Sequence, residues 1–325
     1  MSFCGYFNGN GHTIEGMYVD PRGRKSTAGL FGCVSACSTE PVIQNLTVEG
    51  EVYAGEALSN LDNPAAGILA GDVTRSAAAA YAVIQNCHVS GSVFSESDYV
   101  GGMIGSASRL HISDSSADVD VTGQGCTGGF VGYGFIGKYQ NCTASGNVNG
   151  TWCVGGFAGQ MFGESYITPS DFVSVDHCLA SGNVTASDWE AGGFAGYLAD
   201  TRISSSAAMG EVHSTLTTAS PRAGGFVGEV YSDDYYGVVT ITDSHAVGKG
   251  TVAHNEIPFG GFVGYLSQGT ITGCSYDGAI SDVAAVAETE ADGTLEIEKG
   301  SHGNSARQYL QGLLRWSSVQ HRAHR

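Results

Sequence analysis

The chain has 325 residues, of which 49 are glycine and 6 are proline, with 42% hydrophobic and 14% charged residues. This composition excludes collagen, which needs a glycine at every third position, and it disfavours both a helical bundle, because glycine is a poor helix former, and a disordered chain. The net charge of −18 argues against a nucleic-acid partner, because phosphates are bound by basic surfaces. Abundant glycine, frequent β-branched residues and few charges predict an all-β protein.

The sequence does not predict insertion into a membrane. It contains no apolar run near the roughly 20 residues that a membrane-spanning helix needs. Residues 1–25 also have neither the charged start nor the apolar core of a signal peptide.

Residues 27–282 contain two short motifs in strict alternation. The first, G-G-[FM]-[VAI]-G or a close variant, occurs eight times, at 29–32, 67–71, 101–105, 128–132, 155–159, 192–196, 224–228 and 260–264. The second, I-x-[ND]-[CS]-x-A-x-G-x-V, also occurs eight times and starts at Ile43, Ile84, Ile112, Tyr139, Val175, Ile203, Ile241 and Ile271. Together they define a repeat of about 27 residues, with insertions at two places.

The second motif has the pattern of a β-strand, because its apolar and small residues occupy alternate positions. Glycines end each run and permit a tight corner. Two or three short strands cannot bury their inner face alone, whereas stacked units bury a continuous core. The sequence therefore predicts a β-solenoid, similar to a β-helix, at 27–282, after an N-terminal lead-in or capping segment at 1–26.

The segment 283–325 is predicted to be an acidic linker followed by a basic tail. Residues 301–325 carry four arginines and no acidic residue. Leu310, Leu313, Leu314 and Trp316 would form the apolar stripe of a short helix. Two interpretations stay open, a capping helix or a tail that is foreign to the native protein.

The alternation of the two motifs resembles the GLUG repeat. That repeat occurs in large secreted or surface proteins of bacteria, among them some immunoglobulin A-specific metallopeptidases and many proteins regarded as adhesins. The resemblance covers nearly all of residues 27–282, and F-N-G-N-G-H-T-I at 7–14 is similar to the segment that precedes the first repeat. It implies an extracellular or cell-surface location, and we expect this chain to be a monomeric segment of a larger protein.

Insertions between the first and the second motif, at 33–42, 72–83, 160–174 and 229–240, are the predicted places for ligand binding. If equivalent positions stack, these loops protrude on one face. Two of them combine aromatic and acidic residues, which offer stacking area and directed acceptors to a carbohydrate or a protein. The predicted ligand-binding residues are Phe162, Glu164, Tyr166, Tyr231, Asp233, Asp234, Tyr235 and Tyr236. Ordinary solvated loops are the alternative.

Four of the nine cysteines share one position of the second motif. These are Cys87, Cys142, Cys178 and Cys274, and the same position holds Ser115, Ser206, Ser244 and Leu46 in the other copies. Such variety predicts a buried packing position rather than a reactive thiolate. Equivalent residues of stacked turns lie about 4.8 Å apart, so oxidised pairs stay open. Cys33 and Cys37 have poor spacing for zinc, and no metal site or cofactor is predicted.

No catalytic residue is predicted. The metallopeptidase motif H-E-x-x-H is absent, and His88 and His245 follow the Cys/Ser position, so we expect them to face solvent. Asp118 and Asp120 share one face of a strand, as paired catalytic acids would, but among 32 acidic residues such a pair is common by chance. The glycine clusters lack the following helix of a phosphate or dinucleotide site.

Two functions remain. The sequence favours a non-enzymatic surface or secreted scaffold or stalk, related to adhesion, that binds a host glycan or an extracellular protein through its side loops. The alternative is part of a larger secreted enzyme, a peptidase or a polysaccharide-active β-helix, whose catalytic part lies outside this chain. Sparse arginine and lysine argue against a lyase, and the lack of a regular threonine array argues against an ice-binding solenoid.

Overall fold

The computed structural model describes residues 2–21, 27–35, 40–54, 64–74, 80–215, 222–232, 237–253, 259–277, 283–289 and 294–300. Within these ranges the chain forms strands and turns but no helix, and the paired strands are parallel. The described residues accordingly offer no helix that is long and apolar enough to cross a membrane.

The described strands form two sheets. The small sheet contains Ala65–Ala66, Tyr99–Gly101, Cys126–Gly128, Val154–Gly155, Glu190–Gly192, Arg222–Gly224 and Phe259–Gly260. The large sheet contains Tyr6–Val19, Phe31–Ser35, Val42–Ala54, Ala70–Thr74, Ala82–Ser95, Ile104–Ser113, Ser116–Thr122, Val131–Gln140, Thr143–Ala144, Val148–Gly150, Ala158–Phe162, Val173–Asp176, Leu179–Ala180, Val184–Ala186, Ala195–Ala199, Thr201–Ser204, Ala207–Ala208, Val212–Ser214, Val227–Tyr231, Thr240–Thr242, His245–Ala246, Gly250–Val252, Val263–Leu266, Thr270–Asp277, Val286–Thr289 and Thr294–Gly300.

Equivalent motif positions pair between successive turns of the chain. In the first motif, Val131 pairs with Ile104 on one side and with Ala158 on the other. In the second motif, Tyr139 pairs in the same way with Ile112 and Val175. This stacking confirms the all-β prediction and a solenoid-like arrangement of parallel strands, while the number of repeats stays a prediction.

Strand pairing continues outside residues 27–282. Tyr6–Val19 pairs with Val42–Ala54, and Thr294–Gly300 pairs with Thr270–Asp277. The apolar stripe predicted for the tail falls in 301–325, outside the described residues. The domain boundaries themselves stay predictions.

Glycines of the first motif lie where two backbones meet. A Cβ atom at Gly128 would clash with the carbonyl oxygen of Val131, and one at Gly132 would clash with the amide nitrogen of Val100 in the preceding turn. The chain therefore folds back on itself at this motif and brings the small sheet against the start of the next strand.

The apolar residue of the first motif fills the interior as a stack of rings. Phe130, Phe157, Phe194, Phe226 and Phe262 are fully buried. Neighbouring rings in this series are 4.8–4.9 Å apart between centroids and nearly coplanar, with interplanar angles of 3–9°. This distance matches the spacing of paired strands, so ring stacking and backbone pairing reinforce each other.

The second motif turns a corner at its Asn or Asp position. Asn45, Asn86, Asp114, Asn141 and Asp243 have φ values of 48–55°, in the left-handed region that these short polar residues tolerate best. Their side chains also bond from turn to turn, since Asn86 Nδ2 donates to Asn45 Oδ1 at 2.9 Å and Asn141 Nδ2 donates to Asp114 Oδ1 at 3.0 Å. Backbone geometry and a polar ladder together explain this position of the motif.

The Cys/Ser position next to the corner points inward. Cys142 Sγ donates to the Gln140 carbonyl at 3.2 Å, and Ser115 Oγ donates to the Ser113 carbonyl at 2.7 Å. The described cysteines are all free, and burial raises the pKa of the Cys87 thiol to about 12. The predicted buried packing position is confirmed, because Cys87, Cys142, Cys178 and Cys274 are all at most 1% exposed. Cys37 lies outside the described residues.

Candidate side-loop site

The predicted insertions leave the solenoid at one edge. In the turn without an insertion, Val131–Gln140 runs as one strand through Ile136. Its first half pairs with Ala158–Phe162 and its second half with Val173–Asp176, the two strands that flank the insertion at 160–174. The strands Phe31–Ser35 and Ala70–Thr74 end at the same register position, each at the third residue of one of the two earlier insertions.

The loop at 160–174 is described throughout and is held by buried polar contacts. The Arg109 guanidinium forms an ion pair with the Asp171 carboxylate, and both side chains are largely buried. On the other side, Ser165 donates to Asp200 through its amide at 2.5 Å and through its hydroxyl at 2.7 Å. The loop is therefore pinned at two points, to an earlier and to a later turn of the solenoid.

The tip of this loop carries exposed side chains. Tyr166 is 38% exposed and Ile167 is 63% exposed. The Ile167 amide donates to the Glu164 carbonyl at 2.9 Å, and the Asp171 amide donates to the Thr168 carbonyl at 2.8 Å, so the tip is a closed turn. Ile167 is a candidate contact residue that the sequence analysis missed, because the aromatic and acidic pattern does not include it.

Four of the eight predicted ligand-binding residues can be placed. Phe162 stacks on Phe135 with ring centroids 6.0 Å apart, and Glu164 is half-buried in the loop turn. Phe162 pairs with Ala199, and Ala199 pairs with Tyr231, so Phe162 and Tyr231 occupy equivalent positions two turns apart. The centroid of the Tyr231 ring lies 6.4 Å from that of the Tyr197 ring. The structure thus brings Phe162, Glu164, Tyr166 and Tyr231 to one edge. Asp233, Asp234, Tyr235 and Tyr236 lie outside the described residues.

A second polar cluster, missed by sequence reasoning, lies beside the glycine fold. Glu190 and Glu229 are buried, and the Arg222 guanidinium is paired with Glu229 and lies 4.1 Å from the centroid of the Tyr265 ring. Burial, together with the neighbouring Glu229 carboxylate, raises the pKa of Glu190 to about 7. The sequence signal was present, because these residues flank the G-G-F-x-G motif at fixed offsets.

His88 and His245 lie on the outer face but are half-buried, which corrects the expectation that they face solvent. His88 Nδ1 lies 2.8 Å from Ser116 Oγ, and His245 Nδ1 lies 2.8 Å from Ser275 Oγ. The neighbouring turn covers each ring, because its equivalent residue stands only one strand spacing away. Among the described residues, no group of three or more His, Cys, Asp or Glu side chains is placed to hold a metal ion.

Asp118 and Asp120 lie on one exposed strand face, as expected, and their carboxylates bond to the next turn. Ser145 Oγ donates to Asp118 Oδ1 at 2.8 Å, and the Asn147 amide donates to Asp120 Oδ1 at 2.9 Å. These bonds give both acids a structural role in linking turns.

No family model matches the chain, so the resemblance to the GLUG repeat rests on the motifs of this sequence. Halomucin from Haloquadratum walsbyi is 36% identical over 104 residues, which are 32% of this chain and only 1% of halomucin. The crystal structure of a putative immunoglobulin A1 protease from Bacteroides ovatus matches with a TM-score of 0.50 and 18% identity, over 95% of this chain and 72% of that chain. A likeness at this identity concerns the fold alone, and it extends over almost the whole solenoid.

Proposed function

We propose that the chain is a non-enzymatic scaffold of an extracellular or cell-surface protein, related to adhesion, which displays ligand-binding loops along one edge. The observation that carries this proposal is the construction of the loop at 160–174. Its base is pinned by buried contacts of Arg109 and Asp200, whereas Tyr166 and Ile167 at its tip are exposed. A rigid loop with an exposed apolar and aromatic tip loses little entropy when it binds.

Charge and similarity support the location and the type of partner. The net charge of −18 suits a solvated surface that repels nucleic acid and other polyanions. The names of the similar proteins, halomucin and a putative immunoglobulin A1 protease, are also consistent with a place outside the cell. The partner in this proposal is a host glycan or an extracellular protein, bound by a monomeric segment of a larger protein.

A binding screen tests the proposal. The chain is applied to a glycan array and to immobilised extracellular-matrix proteins, beside a variant that carries Tyr166→Ser and Ile167→Ser. We expect the loop variant to lose the binding, while Tyr53→Ser, which removes an aromatic ring that is 48% exposed on another strand, retains it. Binding that is equal in all three proteins, or absent from all three, would contradict the proposal.

The loop anchor provides a second variant. Arg109→Gln leaves the tip residues in place but removes the partner of the buried Asp171 carboxylate. We expect weaker binding, together with faster hydrogen exchange in 162–172, because an unpaired buried charge favours opening of the loop.

The second candidate is part of a larger secreted enzyme. It is favoured by the fold likeness to the Bacteroides ovatus structure. Incubation of the chain with immunoglobulin A1 tests whether the buried Glu190 and Glu229 carboxyl groups give this chain an activity of its own. Cleavage that Glu229→Gln abolishes would contradict the scaffold proposal, whereas intact immunoglobulin is expected both from a scaffold and from an enzyme whose catalytic part lies outside this chain.

A further inference from the structure

Two tryptophans protrude at a corner of the solenoid, shortly before two strands of the small sheet. Trp152 is 57% exposed and Trp189 is 55% exposed, and they lie directly before Cys153 and Glu190, which belong to the same column of successive turns. Large exposed apolar side chains in equivalent positions of adjacent turns form a patch, and such patches mark binding sites on soluble proteins.

The backbone at this corner is fixed by the neighbouring turns. The Trp152 amide donates to the Gln124 carbonyl at 3.2 Å, and the Arg222 amide donates to the Trp189 carbonyl at 3.2 Å. Both tryptophans are therefore presented by a rigid framework and need little ordering when a ligand binds.

An acidic residue lies next to both tryptophans along the stacked backbones. The Asp188 amide donates to the Thr151 carbonyl at 2.8 Å, which places Asp188 beside Trp152 on the next turn. Its Oδ1 atom accepts a hydrogen bond from the amide of Trp189 at 3.1 Å, so the carboxyl group is oriented. Arg222 follows in the next turn. Its guanidinium pairs with Glu229 and lies over the ring of Tyr265, so Arg222 does not neutralise the Asp188 carboxylate.

We propose that Trp152, Trp189 and Asp188 form a binding site for a quaternary ammonium group. Indole faces attract an organic cation through their π electrons, and the carboxylate adds the opposite charge. The net charge of −18 raises the concentration of cations near the surface. This site shares no residue with the side loops, and its test does not depend on their proposed function.

Titration of tryptophan fluorescence with choline tests the proposal. The sequence contains three tryptophans, so two of them report directly on the site. We expect a saturable change with a dissociation constant in the millimolar range and no change with the uncharged isostere of choline, in which carbon replaces the quaternary nitrogen. Trp152→Ala and Trp189→Ala should each weaken binding roughly two- to fivefold, the size of one exposed cation–π contact.

Matched variants and salts complete the test. Asp188→Asn should weaken choline binding while both indoles stay in place, and Tyr53→Ala should not weaken it. An equal response to the uncharged isostere, to sodium chloride at the same concentration, or in the doubly substituted Trp152→Ala/Trp189→Ala variant would overturn the proposal, as would no response to choline at all. Sedimentation with phosphatidylcholine vesicles distinguishes a lipid headgroup from a soluble ligand. Co-sedimentation that Trp152→Ala abolishes supports a lipid headgroup. Choline binding in the absence of co-sedimentation supports a soluble ligand.

Discussion

At the residue scale, the corner asparagines show why a polar residue recurs inside an apolar repeat. Asn141 has a φ of 55°, and Gly273 takes the same corner in a later turn with a φ of 65°. His177 and Ser205 take this corner in two other turns, with φ values of 53° and 51°, so the position favours glycine and polar residues that tolerate the left-handed region.

We expect Asn141→Ala to destabilise the protein by about 1–2 kcal/mol more than Asn141→Gly. Both variants lose the bond to Asp114, so the difference isolates the cost of a left-handed backbone at alanine. Urea unfolding of the two variants beside the native chain measures it. Equal midpoints would show that the backbone conformation carries no cost.

A second residue-scale prediction concerns pH. The folded-state pKa of Glu190 is raised to about 7 from an ordinary value of 4.5, so the folded protein binds the proton more tightly than the unfolded chain. The contribution of Glu190 to the free energy of unfolding is therefore largest below pH 4.5, and it is lost as the pH rises through 7. The full effect is on the order of 3 kcal/mol.

The substitution Glu190→Gln keeps the shape of the side chain but removes its titratable carboxyl group. We expect the urea midpoint of the native chain to fall between pH 5 and pH 8 by more than that of the variant. Parallel pH profiles for the two proteins would contradict the assignment of this titration to Glu190.

At the element scale, each turn is stabilised by the rings above and below it. Phe157 stacks between Phe130 and Phe194, with centroids 4.8 and 4.9 Å away. Met103 and Phe130 occupy the same position of the first motif, so the column accepts a flexible apolar side chain as well as a ring.

We expect Phe157→Ala to cost about 3–5 kcal/mol, because it leaves a cavity between two rings, and Phe157→Met to cost below about 1.5 kcal/mol. Thermal or urea unfolding monitored by circular dichroism compares the two. A loss as large for methionine as for alanine would show that ring stacking, rather than filled volume, holds the column together.

At the scale of the whole molecule, the solenoid has contacts mainly between adjacent turns. The terminal strands Tyr6–Val19 and Thr294–Gly300 each pair on one side among the described strands, whereas Val131–Gln140 pairs on both. In such an architecture, local stability depends on the number of neighbours.

Hydrogen exchange followed by mass spectrometry should therefore give the slowest exchange in 104–204 and the fastest in the strands at the two ends. Salt offers a control, because exchange at the ends should change little if fraying reflects missing neighbours rather than the repulsion of acidic groups. Uniform protection along the chain would contradict nearest-neighbour stability.

Local requirements explain why so much of the fold could be predicted from the sequence. Alternation, glycines at close backbone contacts and Asn or Asp at the left-handed corner are all visible within about ten residues. The inward position of Cys142 followed from the same alternation. The half-burial of His88 did not, because it depends on the neighbouring turn, which lies a variable number of residues away.

The candidate site was only partly predictable for the same reason. The aromatic and acidic composition of the loop at 160–174 is a local property, and it pointed to Phe162, Glu164 and Tyr166. That Arg109 pins this loop was not visible, because Arg109 and Asp171 are 62 residues apart and meet only through the register of intervening strands.

The sequence by itself determined the strand period, the solenoid and the edge from which the loops leave, since each depends on backbone rules that act within one repeat. Only the tertiary structure decided which side chains meet across turns, such as Glu190 with Glu229 or Arg109 with Asp171. Insertions change the distance between such partners along the chain, whereas parallel pairing holds successive turns at one spacing in space.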